Sequence, residues 1–483
     1  MKKYIIIILI SIISFSCEDF LDLGPDYLIN TQSFYKNQQD FEVALVGAYS
    51  ILQGLHSGNF HLFAEMATDN AEIQLPNPIS DELQLDEINF TPSNTYTGSY
   101  WSNCYSLITK CNTVLTRIEG FVDISETMRN SIQGECLFLR AYAYFYLVRM
   151  YGEVTVVTEE FTSPNQVAAY DMSRKPVAEV YRLILDDLTR AESLLALTVP
   201  SNRGKVSIGA VNTLLAKVYL TQREYAKAAA ELEKVMALKK ADGSPAYRLE
   251  PDYGKLFSEG NDDNDESIFE IGFASGNLGE GQNYAHHFYP LIQQMAVFKG
   301  NLLAGGRCVP TQSLMNAYEN DDKRKEASVG DQIPLTNGSF TTSTFCKKFV
   351  DYNATALGDG GVNFTAFRYA DILLMYAEAL NELDRAGADA YLNEVRTRAG
   401  LERKIRTGKD DFRLVIEQER RVEFAYECHR WFDLVRTGRL KDVMNAHFAS
   451  KGLGFSVEDH EWILPVSQGQ RDIDPNLSQN PGY

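Results

Sequence analysis

The chain is poor in basic charge, tryptophan and long apolar runs. Against 65 Asp and Glu stand 46 Lys and Arg, a formal net charge of −19. A chain this acidic repels a phosphate backbone, so nucleic acid is excluded as a natural partner. Neutral ligands or a large protein partner suit it better. Tryptophan numbers 3 against 26 Tyr and 26 Phe, so any stacking surface must come mainly from Tyr and Phe. No GxSxG or HExxH motif occurs. SxxK occurs at Ser33 to Lys36, but no KTG follows it, and a four-residue pattern arises readily by chance. The seven His are scattered. The adjacent pair His286 and His287 would point to opposite faces of a strand, which is wrong for sharing one metal. The acidic run NDDNDE, Asn261 to Glu266, lacks the Gly that a calcium loop needs at its sixth place and reads as a solvated turn. Neither a metal nor a cofactor is expected.

What is present begins at the first residues. Lys2 and Lys3 precede an apolar stretch from Tyr4 to Ile13. As a helix, ten residues reach about 15 Å, half of a ~30 Å hydrocarbon core. The basic start, short apolar centre and small Ser14 and Ser16 form a secretory signal over residues 1–16. Cys17 would then lead the mature chain, where its thiol could carry a lipid. Ser14 departs from the Leu of a strict lipoprotein signal; the competing reading is a plain secretion signal. Glu18 and Asp19 resemble a surface-export tag. Loss of the signal takes Lys2 and Lys3 with it and leaves a net charge of −21. Six cysteines remain, with fifteen possible pairings. Cys104 and Cys111, if helical, lie about 10 Å apart along the axis, too far to bridge. Most of the six are expected to be small buried residues.

Helical periodicity recurs from Phe41 onward: FEVALVGAYSILQGL, YWSNCYSLITKCNTVL, MRNSIQGECLFLRAYAYFYLVRMYG and PVAEVYRLILDDLTRAESLL. In residues 210–236, Ala216, Tyr219, Ala228, Leu232 and Val235 fall at tetratricopeptide offsets; in 370–396, Ala379, Ala388, Leu392 and Val395 match more loosely. Small residues let paired helices approach. The fold class is therefore mainly α, with tetratricopeptide-like helical repeats. Residues 258–365 differ: they are Gly-, Asn- and Ser-rich, IFEIGF reads as a strand, and long loops follow. Loops on a rigid scaffold are where binding usually sits.

Several phrases occur in a telling order: CEDFLD, FLRAYAYFYLVRMYGEV, RKPVAEVYRLILDDLTRAESLL, GAVNTLLAKVYLTQREYAKAA, FRYADILLMYAEALNE, ERRVEFAYECHRWFDLVRTGRL and the closing ILPVSQGQRDIDPNLSQNPGY. Together they resemble the SusD/RagB family of surface lipoproteins across nearly the whole mature chain. The resemblance implies a helical repeat fold with a loop-rich insert and no enzymatic activity. It also implies an outer-membrane location facing the cell exterior, and partnership with a SusC-like TonB-dependent transporter. The ligand would be an oligosaccharide, or in other members a peptide. The expected organisation is a signal peptide over 1–16, a lipidated tether over 17–40, an N-terminal helical region over 41–257, the insert over 258–365 and a C-terminal helical region over 366–483. A surface glycan hydrolase is the alternative from another class; it would need two cleft carboxylates at acid/base separation.

A neutral sugar offers flat CH faces and rings of hydroxyls, so rings and polar groups must interleave. Tyr284, His287 and Tyr289 have that mixture in a Gly-flanked stretch, and Arg307 follows two glycines. Asp69, Asn70 and Trp101 resemble N-terminal positions that line the site in sugar-binding members. The competing readings are aromatics packed under the insert, loop capping by Asp69 and Asn70, and helix packing by Trp101. Trp431 and Trp462 fall in framework motifs and are expected in the core, leaving Trp101 as the tryptophan free for ligand. Arg140, Arg368, Asp371, Glu419, Arg420 and Asp433 are expected as buried ion pairs.

Overall fold

The computed structural model describes residues 34–57, 59–298 and 303–483. The signal segment, Cys17 and the start of the tether lie outside the described residues.

The frame is a run of helices: α1 (Gln38–His56), α2 (Thr95–Glu119), α3 (Glu126–Tyr151), α4 (Val177–Leu194), α5 (Ile208–Thr221), α6 (Tyr225–Ala237), α7 (Tyr369–Glu382), α8 (Ala388–Arg398) and α9 (Lys409–Glu423). The starts of α1, α2, α3 and α5 follow from side chains that satisfy free backbone N–H groups. Asn37 and Asp40 form a reciprocal capping box on α1, and Ser125 accepts from the Met128 amide on α3. Each helix from α1 to α8 packs on the next, so the hairpins α5–α6 and α7–α8 stack on one another. Ala216, Ala228, Ala379 and Ala388 are fully buried, as the close approach of paired helices requires. The two repeat-like stretches of the sequence are therefore adjacent in space although about 130 residues separate them.

Among the described residues the strands are short and come in four antiparallel pairs: β1 (Ala71–Glu72) with β5 (Val309–Pro310), β2 (Val154–Thr155) with β3 (Arg174–Lys175), β4 (Ser267–Ile271) with β8 (Phe364–Arg368), and β6 (Val329–Pro334) with β7 (Phe340–Cys346). The expected IFEIGF strand is β4. The β1–β5 pair ties the N-terminal region to the insert.

Buried charge locks α3 to α4 and ties the C-terminal helices together. Arg140 pairs with Asp187, Arg368 with Glu266, Glu423 and Glu427, and Glu419 with Arg324 and Arg396. Asp371 meets Lys217 and Arg420, and Arg420 also meets Asp433. Each of these charges has a partner because an unpaired buried charge is strongly destabilising. The run NDDNDE is less solvated than expected: Glu266 is fully buried between Arg368 and Arg398, and Asp265 is held by Lys240 and Arg248. All six described cysteines are buried. Among the described residues no helix is long and apolar enough to cross a membrane.

Candidate functional site

Loops from distant parts of the chain converge beside the β1–β5 pair. The Gln74 amide donates to the Gly306 carbonyl at 2.8 Å, and the Gly306 amide to the Tyr289 carbonyl at 2.8 Å. The side chain of Gln74 reaches the β7 strand, accepting from Ser343 at 2.9 Å. The Ala296 amide donates to the Pro334 carbonyl on the β6–β7 hairpin at 2.8 Å. Gly306 has φ +61°, and a Cβ there would stand 3.2 Å from the Leu291 backbone nitrogen; both facts call for glycine.

The cluster has a polar part and an aromatic part. In the polar part, Arg307 donates from Nε to Glu82 and from Nη1 to Nε2 of His286. Tyr96 donates to Glu82 at 3.2 Å. Burial, with the Arg307 charge beside it, holds His286 below its ordinary pKa, so its neutral ring accepts from arginine. Burial and then Glu82 push the Tyr96 hydroxyl up to about 12, keeping it a donor. In the aromatic part, Tyr352 is 41% exposed and stacks on Phe298 with centroids 6.3 Å apart. Its hydroxyl lies 3.2 Å from that of Tyr289, whose ring packs on Phe298 and Phe345. The half-exposed Leu291 and Leu303 belong to the same loops. Such a surface can stack on a flat CH face and hydrogen-bond neighbouring hydroxyls.

Of the residues singled out in the sequence, Asp69, Asn70, His287, Tyr289 and Arg307 gather here. Thr311 bonds the carbonyls of Asp69 and Asn70, and the Cys308 amide bonds the His287 carbonyl. Only Arg307 keeps appreciable exposure, 29% of its side chain. Asp69 is gripped by Arg430 and Arg421; burial raises its pKa, but the two arginines outweigh that and hold it below the ordinary value. Asn70 is fully buried, donating to Glu65 and accepting from Arg421. Tyr284 is fully buried with its hydroxyl on the His56 carbonyl. His287 is buried, and burial takes its pKa down to about 3. Tyr289 is 1% exposed. These aromatics pack under the insert and support the outer ring rather than forming the exposed surface. His286 and His287 lie in a short helix, Tyr284–Phe288, not a strand.

The tryptophans need a correction. Trp431 is in the core as expected, but Trp462 is 47% exposed, and Trp101 is 4% exposed. Trp101 packs edge-on against Tyr151 at 5.0 Å, away from the loop cluster. The sequence reading missed Tyr352, His286, Glu82 and Tyr96. Tyr352 carried a usable signal: an aromatic between Asp351 and Asn353 in the Gly-rich insert.

Residues 325–483 match a model described as the SusD family, and residues 19–220 match one described as starch-binding associating with outer membrane. A SusD-like protein of Formosa agariphila is 26% identical, with 100% of both chains covered. The starch-binding protein SusD of Bacteroides thetaiotaomicron is 25% identical over 83% of this chain and 81% of its own. A solved structure described as a laminarin-binding SusD-like protein superposes with TM-score 0.78 at 27% identity, covering 93% of this chain and 100% of that one.

Proposed function

The chain belongs to the SusD/RagB family, and from that premise we propose that it is an outer-membrane lipoprotein that captures oligosaccharide and passes it to a partner TonB-dependent transporter. The observation that carries the binding reading is the exposed Tyr352 ring, backed by Phe298, within one loop cluster with Arg307 and His286. The likeness to a starch-binding and a laminarin-binding protein supports a glucan as ligand. Cys17 carries the lipid in this reading, and the acidic residues after it direct the protein to the cell exterior. The Glu82 carboxylate is tied to Arg307 and Tyr96, which suits a positioning role better than acid/base work; we read the protein as non-catalytic.

The cluster binds because its groups are set before ligand arrives, which limits the ordering cost of association. Transfer to the transporter then needs no chemical change in the sugar. The test is a glycan and peptide array on soluble protein lacking residues 1–17, followed by calorimetry on starch and laminarin oligosaccharides. Binding of glucans is the expected result. Signals confined to peptides would replace the oligosaccharide reading, and shortening of a labelled glycan would overturn the non-catalytic one. Cys17→Ala is expected to release the protein from membranes; retention there in detergent-free fractionation removes the anchor.

A further inference from the structure

A cavity of about 500 Å³ lies remote in sequence from the loop cluster, between the C-terminal end of α3, the start of α4 and the segment 432–462. Its lining includes Arg149, Tyr181, Phe432, Val457 and the half-exposed Trp462. That volume suits a molecule the size of one or two sugar rings.

Arg149 is the unusual member. Its guanidinium is sandwiched between two rings, 3.8 Å from the Phe145 centroid and 3.9 Å from the Phe432 centroid. Nε donates to the Phe145 carbonyl at 3.0 Å. Many arginines of this chain meet carboxylates: Arg324 meets Asp322, Glu419 and Glu423, Arg420 meets Asp371 and Asp433, and Arg436 meets Glu378 and Asp433; buried Arg203 bonds the carbonyls of Pro200 and Ala246 instead. Among the described residues no carboxylate forms an ion pair with Arg149, in a chain where acids outnumber bases 65 to 46. Burial lowers its pKa. Val177, the first residue of α4, lines the same cavity and sets the positive end of that eighteen-residue helix beside it. Glu458 and Asp459 also line the cavity, and neither forms an ion pair with Arg149 among the described residues; Asp459 is 92% exposed and pairs with Lys441.

We infer that this cavity is a second binding site, for a small organic carboxylate with a flat apolar face, such as a sugar acid. The carboxylate would take the in-plane donors of Arg149 that ring stacking leaves at the guanidinium edge, a charge-assisted and geometrically specific pair. Trp462 would cover the apolar face of the ring. The inference is independent of the loop cluster and of what binds there.

The test is calorimetry and tryptophan fluorescence on the soluble chain, with glucuronate and glucose as probes. Glucuronate is expected to bind at millimolar concentration or below, with glucose weaker by about tenfold or more. Arg149→Met keeps the packing between the rings and is expected to abolish the preference for the acid. Trp462→Ala, at a half-exposed position, is expected to weaken both sugars while leaving the circular dichroism unchanged. Capture of a neutral glycan at the loop cluster is expected to survive both substitutions. Equal affinity for the two probes, no glucuronate binding by folded wild-type protein, or full binding by both variants would each overturn the inference.

Discussion

Arg430 donates through Nε to Oδ1 of Asp69 at 2.8 Å and through Nη2 to Oδ2 at 3.0 Å, a bidentate pair between residues 361 positions apart. It fixes the C-terminal region to the loop that leads into β1, and so sets one wall of the loop cluster. Arg421 adds a third contact to the same carboxylate at 3.0 Å. Asp69 is thus committed to the two arginines, and its part in the proposed site is to hold this loop.

Asp69→Ala removes the anion that two buried arginines share. The expected loss is about 3–5 kcal/mol in urea unfolding at neutral pH. The folded pKa of Asp69 is depressed, so its contribution is complete above the unfolded carboxylate value and is lost as pH falls through the folded one. The stability gap between wild type and Asp69→Asn should therefore narrow below about pH 4. A gap that stays constant down to strongly acid pH would show that shape, not charge, carries the effect.

Glu65 gives the opposite sign. It is fully buried, and burial pushes its pKa up to about 7 against hydrogen bonds from the Cys428 amide and Asn70. The folded state binds its proton more tightly than the unfolded state. Its stabilisation is complete below the unfolded value of 4.5 and shrinks as pH rises through about 7. A shift of that size corresponds to about 3 kcal/mol lost across the window. Denaturant unfolding at pH 5 and pH 8 should show this slope in wild type and a flatter one in Glu65→Gln. Equal slopes would mean that Glu65 is ionised in the folded protein throughout.

Tyr284 and Tyr289 have aromatic character suited to sugar but lie beneath the surface. Tyr284→Ala is expected to cost about 3–5 kcal/mol of stability, as for other large buried side chains. Tyr289→Ala should cost stability and also loosen Tyr352, whose hydroxyl it meets at 3.2 Å. Tyr289→Phe keeps the ring and removes only that hydroxyl contact, so its stability should change by about 1 kcal/mol. A large drop in glycan affinity for Tyr284→Ala with an unchanged melting temperature would put Tyr284 in direct contact with ligand.

The frame was legible because helical packing leaves a period. Ala216, Ala228, Ala379 and Ala388 announced paired helices, and all four are buried where hairpins meet. The buried ion pairs of Arg140, Arg368 and Asp371 were legible as charges inside apolar phrases. Trp101 and Trp462 were misassigned for a physical reason. Trp101 continues the buried α2 stripe of Cys104, Ile108 and Cys111, a spacing that could have been read. Trp462 lies in a segment with no period, so nothing local fixes which side faces solvent. The site itself is assembled from loops, and loop contacts such as Gln74 with Gly306 depend on tertiary approach that no short stretch encodes.

Tyr352→Ala is the substitution that separates binding from folding, and Arg307→Ala is its contrast. Tyr352 is 41% exposed, so Tyr352→Ala removes stacking area with little core disruption. Loss of one aromatic platform is expected to weaken a glucan oligosaccharide by about tenfold, or about 1.4 kcal/mol. Arg307→Ala leaves Glu82, which is 1% exposed at its side chain, facing Tyr96 without its cation. That variant should lose affinity and some stability together, whereas Arg307→Lys should recover the charge but not the paired contacts to Glu82 and His286. Calorimetry with thermal melts on all three decides the matter. Wild-type affinity in Tyr352→Ala would move the glycan platform away from the insert loops.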